Sequence, residues 1–207
     1  MNFRNLDIIK VAEAIEARSP ALMRTLGMKY VEFLSPFNRS LKASIKEWTP
    51  EKIKVAMKCH RKVQNHVGSI HAGALFTLGE GSAGLLIARN LSFSEFRPLM
   101  TEISAQFFKQ ARGPIYSLCQ MSSQLIQKAQ GSLERGEFPL LPMETLIFNE
   151  KDEKVAAVQT TWQIKPCNMV GVRPAKGQES KSRDSQSQES KSDNLKNKNA
   201  KTKGKTK

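Results

Sequence analysis

Between His71 and Arg89 the sequence carries a single ionisable side chain, Glu80, set between Gly79 and Gly81 in a stretch of small and apolar residues. An ionised carboxylate in apolar surroundings is costly unless it is paired or used. Two readings follow. Glu80 forms an ion pair with a lysine or arginine of a neighbouring strand, or it is kept for chemistry as a nucleophile or general base. Upstream, Asn65-His66-Val67-Gly68-Ser69-Ile70-His71-Ala72-Gly73 leads into the same stretch. If that stretch is a helix, its start presents backbone N–H groups that lack intrahelical partners, at the positive end of the helix dipole. Such an end can hold a carbonyl oxygen as it becomes an oxyanion. Ser69 acting only as a cap and Gly68 only as a turn residue would account for the same residues without chemistry.

The elements that must position these residues follow from periodicity. Leu6, Ile9, Val11, Ala12 and Ile15 repeat at helical spacing up to Ser19-Pro20, and a second helix runs from Pro20 into Phe33. The period then changes to two. Leu41, Ala43 and Ile45, and after the turn Thr49-Pro50-Glu51 the residues Ile53, Val55, Met57 and Cys59, alternate with lysines and make a first hairpin. Ile103, Ala105 and Phe107 are expected to form a second hairpin with Ile115 to Met121, across the turn at Arg112-Gly113-Pro114. Met143 to Phe148 and Val155 to Ile164 form a third, and Ser122 to about Arg135 forms a helix.

Ser69 to about Asn90 is too long for a strand and is assigned to a helix, although Gly73, Gly79, Gly81 and Gly84 each cost about 1 kcal/mol relative to alanine in a helix interior. Tertiary packing must therefore hold it, with the sheet enclosing the helix and the glycines admitting close backbone approach.

The chain is 207 residues long, 39% hydrophobic and 25% charged, which suits one well-packed domain with residues to spare. Residues 1–36 read as a helical lead-in to that domain, 37–172 as its body and 173–207 as a disordered tail. From Pro174 onward Leu195 is the only large apolar residue, too little to offset the entropy of ordering. Pro174 to Lys207 holds ten Lys or Arg against four Asp or Glu, so +6 of the total charge of +14 lies there. Such a tail is expected to make weak contacts with polyanions. The first twenty residues interleave charged and apolar side chains, which argues against a secretory leader, and no apolar run reaches the ~20 residues that span a bilayer. Cys59, Cys119 and Cys167 are odd in number and widely spaced, with no C-x-x-C pair, which fits a reducing cytoplasm and neither a disulfide framework nor a zinc site.

Asn65 through Glu80 reads N-x-x-G-x-x-H-A-G-A-L-F-T-L-G-E. This run resembles the helix-start motif of the phenylacetic-acid-type (PaaI-like) hotdog thioesterases and their DUF4442 relatives, N-x-x-G-x-x-H-G-G followed by a short apolar stretch and an Asp or Glu. The resemblance implies an α+β hotdog fold, an antiparallel sheet wrapped around one long central helix, here with extra N-terminal helices. It implies hydrolysis of acyl-CoA or acyl-carrier thioesters with Glu80 as nucleophile or general base. Asn65 would position the water or the thioester, His71 would orient the loop or contact the thioester, and the Ala72 N–H would donate to the carbonyl oxygen.

Gly68 and Gly73 would shape the substrate-binding helix start, and Thr77 or Ser82 would hold the water. The exposed lysines of the first hairpin, with Arg61, Lys62, Lys109 and Arg112, would attract the phosphates of a coenzyme A substrate, or else serve only as solvated strand faces. Two departures from the motif stand out: Ala72 replaces the first glycine after the histidine, and Gly84 supplies no hydroxyl one turn beyond the carboxylate. No metal or other cofactor is needed, because a thioester carbonyl is already electrophilic. Ala72 and Glu80 are eight residues apart, ~12 Å along one helix, which is far beyond hydrogen-bond reach. A homodimer or a dimer of dimers with a shared site is therefore expected. The competing readings are a non-catalytic acyl-CoA-binding hotdog protein and a basic nucleic-acid-associated protein, the latter without an aromatic-basic strand signature or a helix-turn-helix arrangement.

Overall fold

The computed structural model describes residues 14–15, 17–92 and 95–170. Most of the expected first helix and the whole of residues 173–207 lie outside them; Ala14, Ile15, Ala17 and Arg18 are helical. The chain then forms α1 (Pro20–Leu34), β1 (Ser44–Trp48), β2 (Lys52–Met57), α2 (Ala72–Asn90), β3 (Phe96–Phe107), β4 (Ile115–Gln120), α3 (Ser123–Glu134), β5 (Leu140–Asn149) and β6 (Lys154–Pro166). Helix α1 begins where its sequence says it should. Ser19 caps it by accepting from the Leu22 N–H, and Pro20 sits at the first helical position, where no donor is missed. Ser122 caps α3 in the same way.

The six strands form one antiparallel sheet in the order β1-β2-β4-β5-β6-β3. The hairpins β1–β2 and β5–β6 are those the alternation predicts. The expected β3–β4 hairpin is not found: β3 pairs along its length with β6 at the far edge, and β4 lies between β2 and β5. The turn at Arg112-Gly113-Pro114 therefore redirects the chain across the sheet. The first strand is also shorter than its alternation suggests, because Pro36–Leu41 is a 3₁₀ turn, and β2 stops before Cys59.

Helix α2 lies against the sheet and touches β2 through β6. Its buried face, with Leu75, Leu78, Ala83, Leu86 and Ile87, meets inward-facing Ile53, Val55, Ile147, Val158 and Ile164. Burial of each large side chain contributes roughly 1.5–3 kcal/mol, which outweighs the poor helix propensity of the glycines. Hydroxyls fasten the helix further: Thr145 donates to the Gly79 carbonyl at 3.0 Å, and the Ser82 and Ser117 oxygens lie 2.7 Å apart in the core. No helix among the described residues is long and apolar enough to cross a membrane.

The expectation that the sheet encloses α2 on all sides holds only in part. Phe76, Glu80, Gly81 and Gly84 remain half-exposed, and Ala72 and Gly73 are open to solvent. The glycines differ accordingly. A Cβ on Gly79 would stand 2.5 Å from Val158 Cβ, whereas a Cβ on Gly81 meets nothing within 4 Å. Gly79→Ala is expected to lower stability by about 1–3 kcal/mol through overpacking, and Gly81→Ala to raise it by about 0.4–1 kcal/mol. Urea denaturation of the pair measures both.

Candidate functional site

The chain before α2 is folded into a tight loop by Asn65. Its Oδ1 accepts from the Val67 and Ser69 N–H groups at 3.1 Å each, its Nδ2 donates to Ser69 Oγ at 2.9 Å, and its own N–H donates to the Ser69 carbonyl. Gly68 closes the loop at φ +75, a conformation that side chains rarely tolerate. Ser69 is buried here and belongs to the loop. The cap of α2 is His71, whose Nδ1 accepts from the Gly73 N–H at 2.9 Å, which puts the ring proton on Nε2. The helix therefore starts at Ala72, three residues later than the sequence suggests.

This cap decides which donors remain. Gly73 is bonded to His71 Nδ1, and both Ala74 and Leu75 donate to the His71 carbonyl. The Ala72 N–H has no acceptor among the described residues, and Ala72 lines a cavity of about 310 Å³ with Asn65, Ser69, Leu75, Phe107, Phe108 and Lys109. Phe107 and Phe108 are each 49% exposed, which is unusual for side chains of their size. Sequence reasoning placed Phe107 on a strand and missed the pair as wall residues. Two adjacent aromatics at a strand end were the available signal.

Glu80 stands two turns further along α2, outside this cavity. It is half-buried, and no cation or hydrogen-bond donor among the described residues reaches it. The ion pair expected as one reading of this residue is not formed among the described residues. Burial raises the Glu80 carboxyl above its ordinary value, and no countercharge offsets that effect. Gly73, Phe76, Glu80 and Gly84 recur at three- and four-residue spacing, so they lie along one open flank of the helix.

The remaining candidates are dispersed. Thr77 donates its hydroxyl to the Gly73 carbonyl at 2.8 Å and lines a small apolar cavity with Met28 and Val31 of α1. Ser82 is 1% exposed, and its hydroxyl is spent on the Leu78 carbonyl and on Ser117, so it does not present itself to water at Glu80. Arg61 and Lys62 are exposed on a 3₁₀ turn. Lys109 alone of these lines the cavity at the start of α2, where it pairs with Glu153 at 2.8 Å, and Arg112 donates to Gln110. Burial pushes the Cys119 thiol up to about 11, which leaves it a poor nucleophile. No group of three potential metal ligands occurs among the described residues.

A six-stranded antiparallel sheet with a long helix across it, the helix start opening on a cavity, defines an α+β protein of the hotdog class. The family model of the domain of unknown function DUF4442 matches residues 24–164, and the chain belongs to that family. Solved structures share the fold. A probable thioesterase from Pseudomonas aeruginosa superposes with a TM-score of 0.64 at 23% identity, over 69% of this chain and 95% of the other. A thioesterase from Staphylococcus aureus gives 0.54 at 22% identity over 64% of this chain and all of its own, 100%. A putative thioesterase from Shewanella oneidensis gives 0.59 at 9% identity over 68% and 95%. No curated protein matches the chain in sequence.

His71→Ala removes the cap of α2 and is expected to cost about 1 kcal/mol in urea denaturation. His71→Asn restores a capping oxygen and should recover that stability.

Proposed function

We propose that this protein hydrolyses acyl thioesters, carried on coenzyme A or on an acyl carrier, at a site shared between two copies of the chain. The observation that carries this reading is a separated pair: an unengaged helix-start N–H at Ala72 and an uncompensated, half-buried carboxylate at Glu80. They lie eight residues apart on one continuous helix, ~12 Å along its axis, so a single chain does not offer both to one carbonyl carbon. Two antiparallel copies of α2 related by a twofold axis would bring the N–H of one to the carboxylate of the other.

A surface for such pairing is at hand. β3 is twelve residues long, lies at the end of the strand order and has one unpaired side, with Met100 and Phe107 exposed. A long unpaired edge of this kind is a template for another strand. Joining two β3 edges continues the sheet through both chains and places the open flanks of the two α2 helices toward each other.

In the shared site the thioester carbonyl oxygen accepts from the Ala72 N–H of one chain. Glu80 of the other either takes a proton from an attacking water or attacks the carbonyl carbon itself. The C–S bond then breaks, and the thiolate leaves as the oxyanion collapses; on the nucleophilic route water then cleaves the mixed anhydride formed with Glu80, which frees the acid and restores the carboxylate. Asn65 and His71 hold the donor in place and do not need to touch the reacting atoms.

The experiment is a hydrolysis panel of acyl-CoA and acyl-carrier thioesters of varied chain length with the purified protein, followed by release of free thiol. Turnover of at least one class supports the reading. Binding without turnover across the panel would replace it with that of an acyl-binding protein.

A further inference from the structure

Helix α1 carries large apolar side chains on two sides, and the sheet takes only one of them. Met23 is buried, and Met28 and Val31 pack against the core beside β1. Gly27 lets the helix sit directly on Trp48 of β1: a Cβ there would stand 2.5 Å from the indole ring, whose Nε1–H donates to the Leu85 carbonyl of α2 at 3.2 Å. This contact fixes which way α1 faces. Its other side presents Leu22, Leu26, Tyr30 and Phe33, all exposed. At ~100° per residue these four fall within an arc of about 80°. Phe37 continues the apolar surface from the 3₁₀ turn Pro36–Leu41. Phe33 and Phe37 are each 73% exposed, more than any other large apolar side chain among the described residues. Single apolar residues scattered over a surface need no explanation, but a row of five marks a contact site.

The charges beside this row say what the contact is with. From Arg18 to Lys42 the chain holds Arg18, Arg24, Lys29, Arg39 and Lys42 against a single acid, Glu32. Lys29 pairs with that glutamate at 3.0 Å, and the other four cations have no carboxylate partner among the described residues. Arg39 and Lys42 are exposed and follow Phe37 by two and five residues, so cations and aromatics stand together on one short turn. A second copy seated on this face would bring the same cations against these and be repelled. Residues 1–13 hold Arg4 and Lys10 against Asp7 and Glu13, so they offer no net negative charge. An anionic lipid surface satisfies both features, because its headgroup boundary takes up apolar side chains while its phosphates attract the flanking cations.

We propose that the open face of α1 and the turn after it dock on an anionic lipid surface, so that the protein works as a peripheral membrane protein. Such docking stands whether or not the protein hydrolyses thioesters.

The test is co-sedimentation of the full chain with vesicles of phosphatidylcholine, with and without phosphatidylserine. The wild type is expected to bind the mixed vesicles at least about tenfold more strongly than phosphatidylcholine alone, since each cation near anionic headgroups contributes a factor of several. Phe33→Ser combined with Phe37→Ser should weaken binding to the mixed vesicles by about tenfold or more, through the apolar area that no longer enters the boundary. Arg39→Gln combined with Lys42→Gly should weaken it by about tenfold as well. All four side chains are exposed, and glycine suits the φ of 48 at position 42, so neither variant should change Tm or oligomeric state. The ten cations of residues 174–207 are present in every protein, so undiminished binding by both variants would place the contact there and overturn the assignment. A smaller assembly of the Phe variant in the absence of lipid means that a second copy covers the face, and a Tm lowered by several degrees means that the chain itself does; either result overturns it. Phe37→Trp keeps the face apolar and reads insertion directly. Its added fluorescence, set against the parent's, should shift to the blue on the mixed vesicles and be quenched by brominated lipid, and an unshifted, unquenched signal overturns the assignment.

Discussion

Glu80→Gln is expected to lower thioester turnover by at least ~10² in kcat while leaving the protein as stable or more stable at neutral pH. The amide matches the carboxylate in shape but cannot attack a carbonyl or take a proton from water. The stability part follows from linkage. Burial raises the Glu80 carboxyl in the folded chain above its value in the unfolded chain, so between the two values the folded state binds more protons. Stability therefore falls as pH rises through that interval, and the full penalty is present above the folded value. Glutamine, neutral at every pH, carries no such penalty. Melting curves of both proteins across pH 4 to 8, set beside kcat, measure the two effects. A Gln variant with wild-type kcat would make the carboxylate structural.

Ala72→Pro should lower kcat by roughly 10²–10³, the usual cost of removing one oxyanion donor, with the fold intact. Proline is normally a severe substitution in a helix, but position 72 is the first helical residue and its N–H bonds nothing among the described residues. The preceding residue, His71, already has φ −63 and ψ 139, the extended conformation that a residue before proline favours. The His71 cap on the Gly73 N–H is untouched. Unchanged circular dichroism and Tm with lost turnover is the expected result. Unchanged turnover would mean that the Ala72 N–H is not the donor.

Much of this arrangement is legible in the sequence because it depends on local pattern. The uncharged, small-sided stretch around Glu80 between His71 and Arg89 marks the helix, and the period-two lysines mark β1 and β2. What was not legible depends on contacts between distant residues. Ser69 and His71 are both plausible caps, and only the loop closed by Asn65 decides for His71 by burying Ser69. The alternation of Ile103, Ala105 and Phe107 identifies a strand but does not say which neighbour it pairs with, so the jump of β3 to the far side of β6 is invisible in it. That no cation among the described residues reaches Glu80 likewise depends on packing between distant elements.

The central claim is that two chains share one site, with the donor from one and the acid from the other. Its most direct test mixes Glu80→Gln with Ala72→Pro, each differently tagged, refolds or exchanges the subunits, and isolates the heterodimer for thioester hydrolysis. One chain of that dimer keeps Ala72 and the other keeps Glu80, so one of its two sites is whole. The expected result is turnover at about half the wild-type value per dimer, as one working site of two, from parents that are each inactive. A verified heterodimer as inactive as its parents, or a wild-type monomer with full activity, would contradict the account.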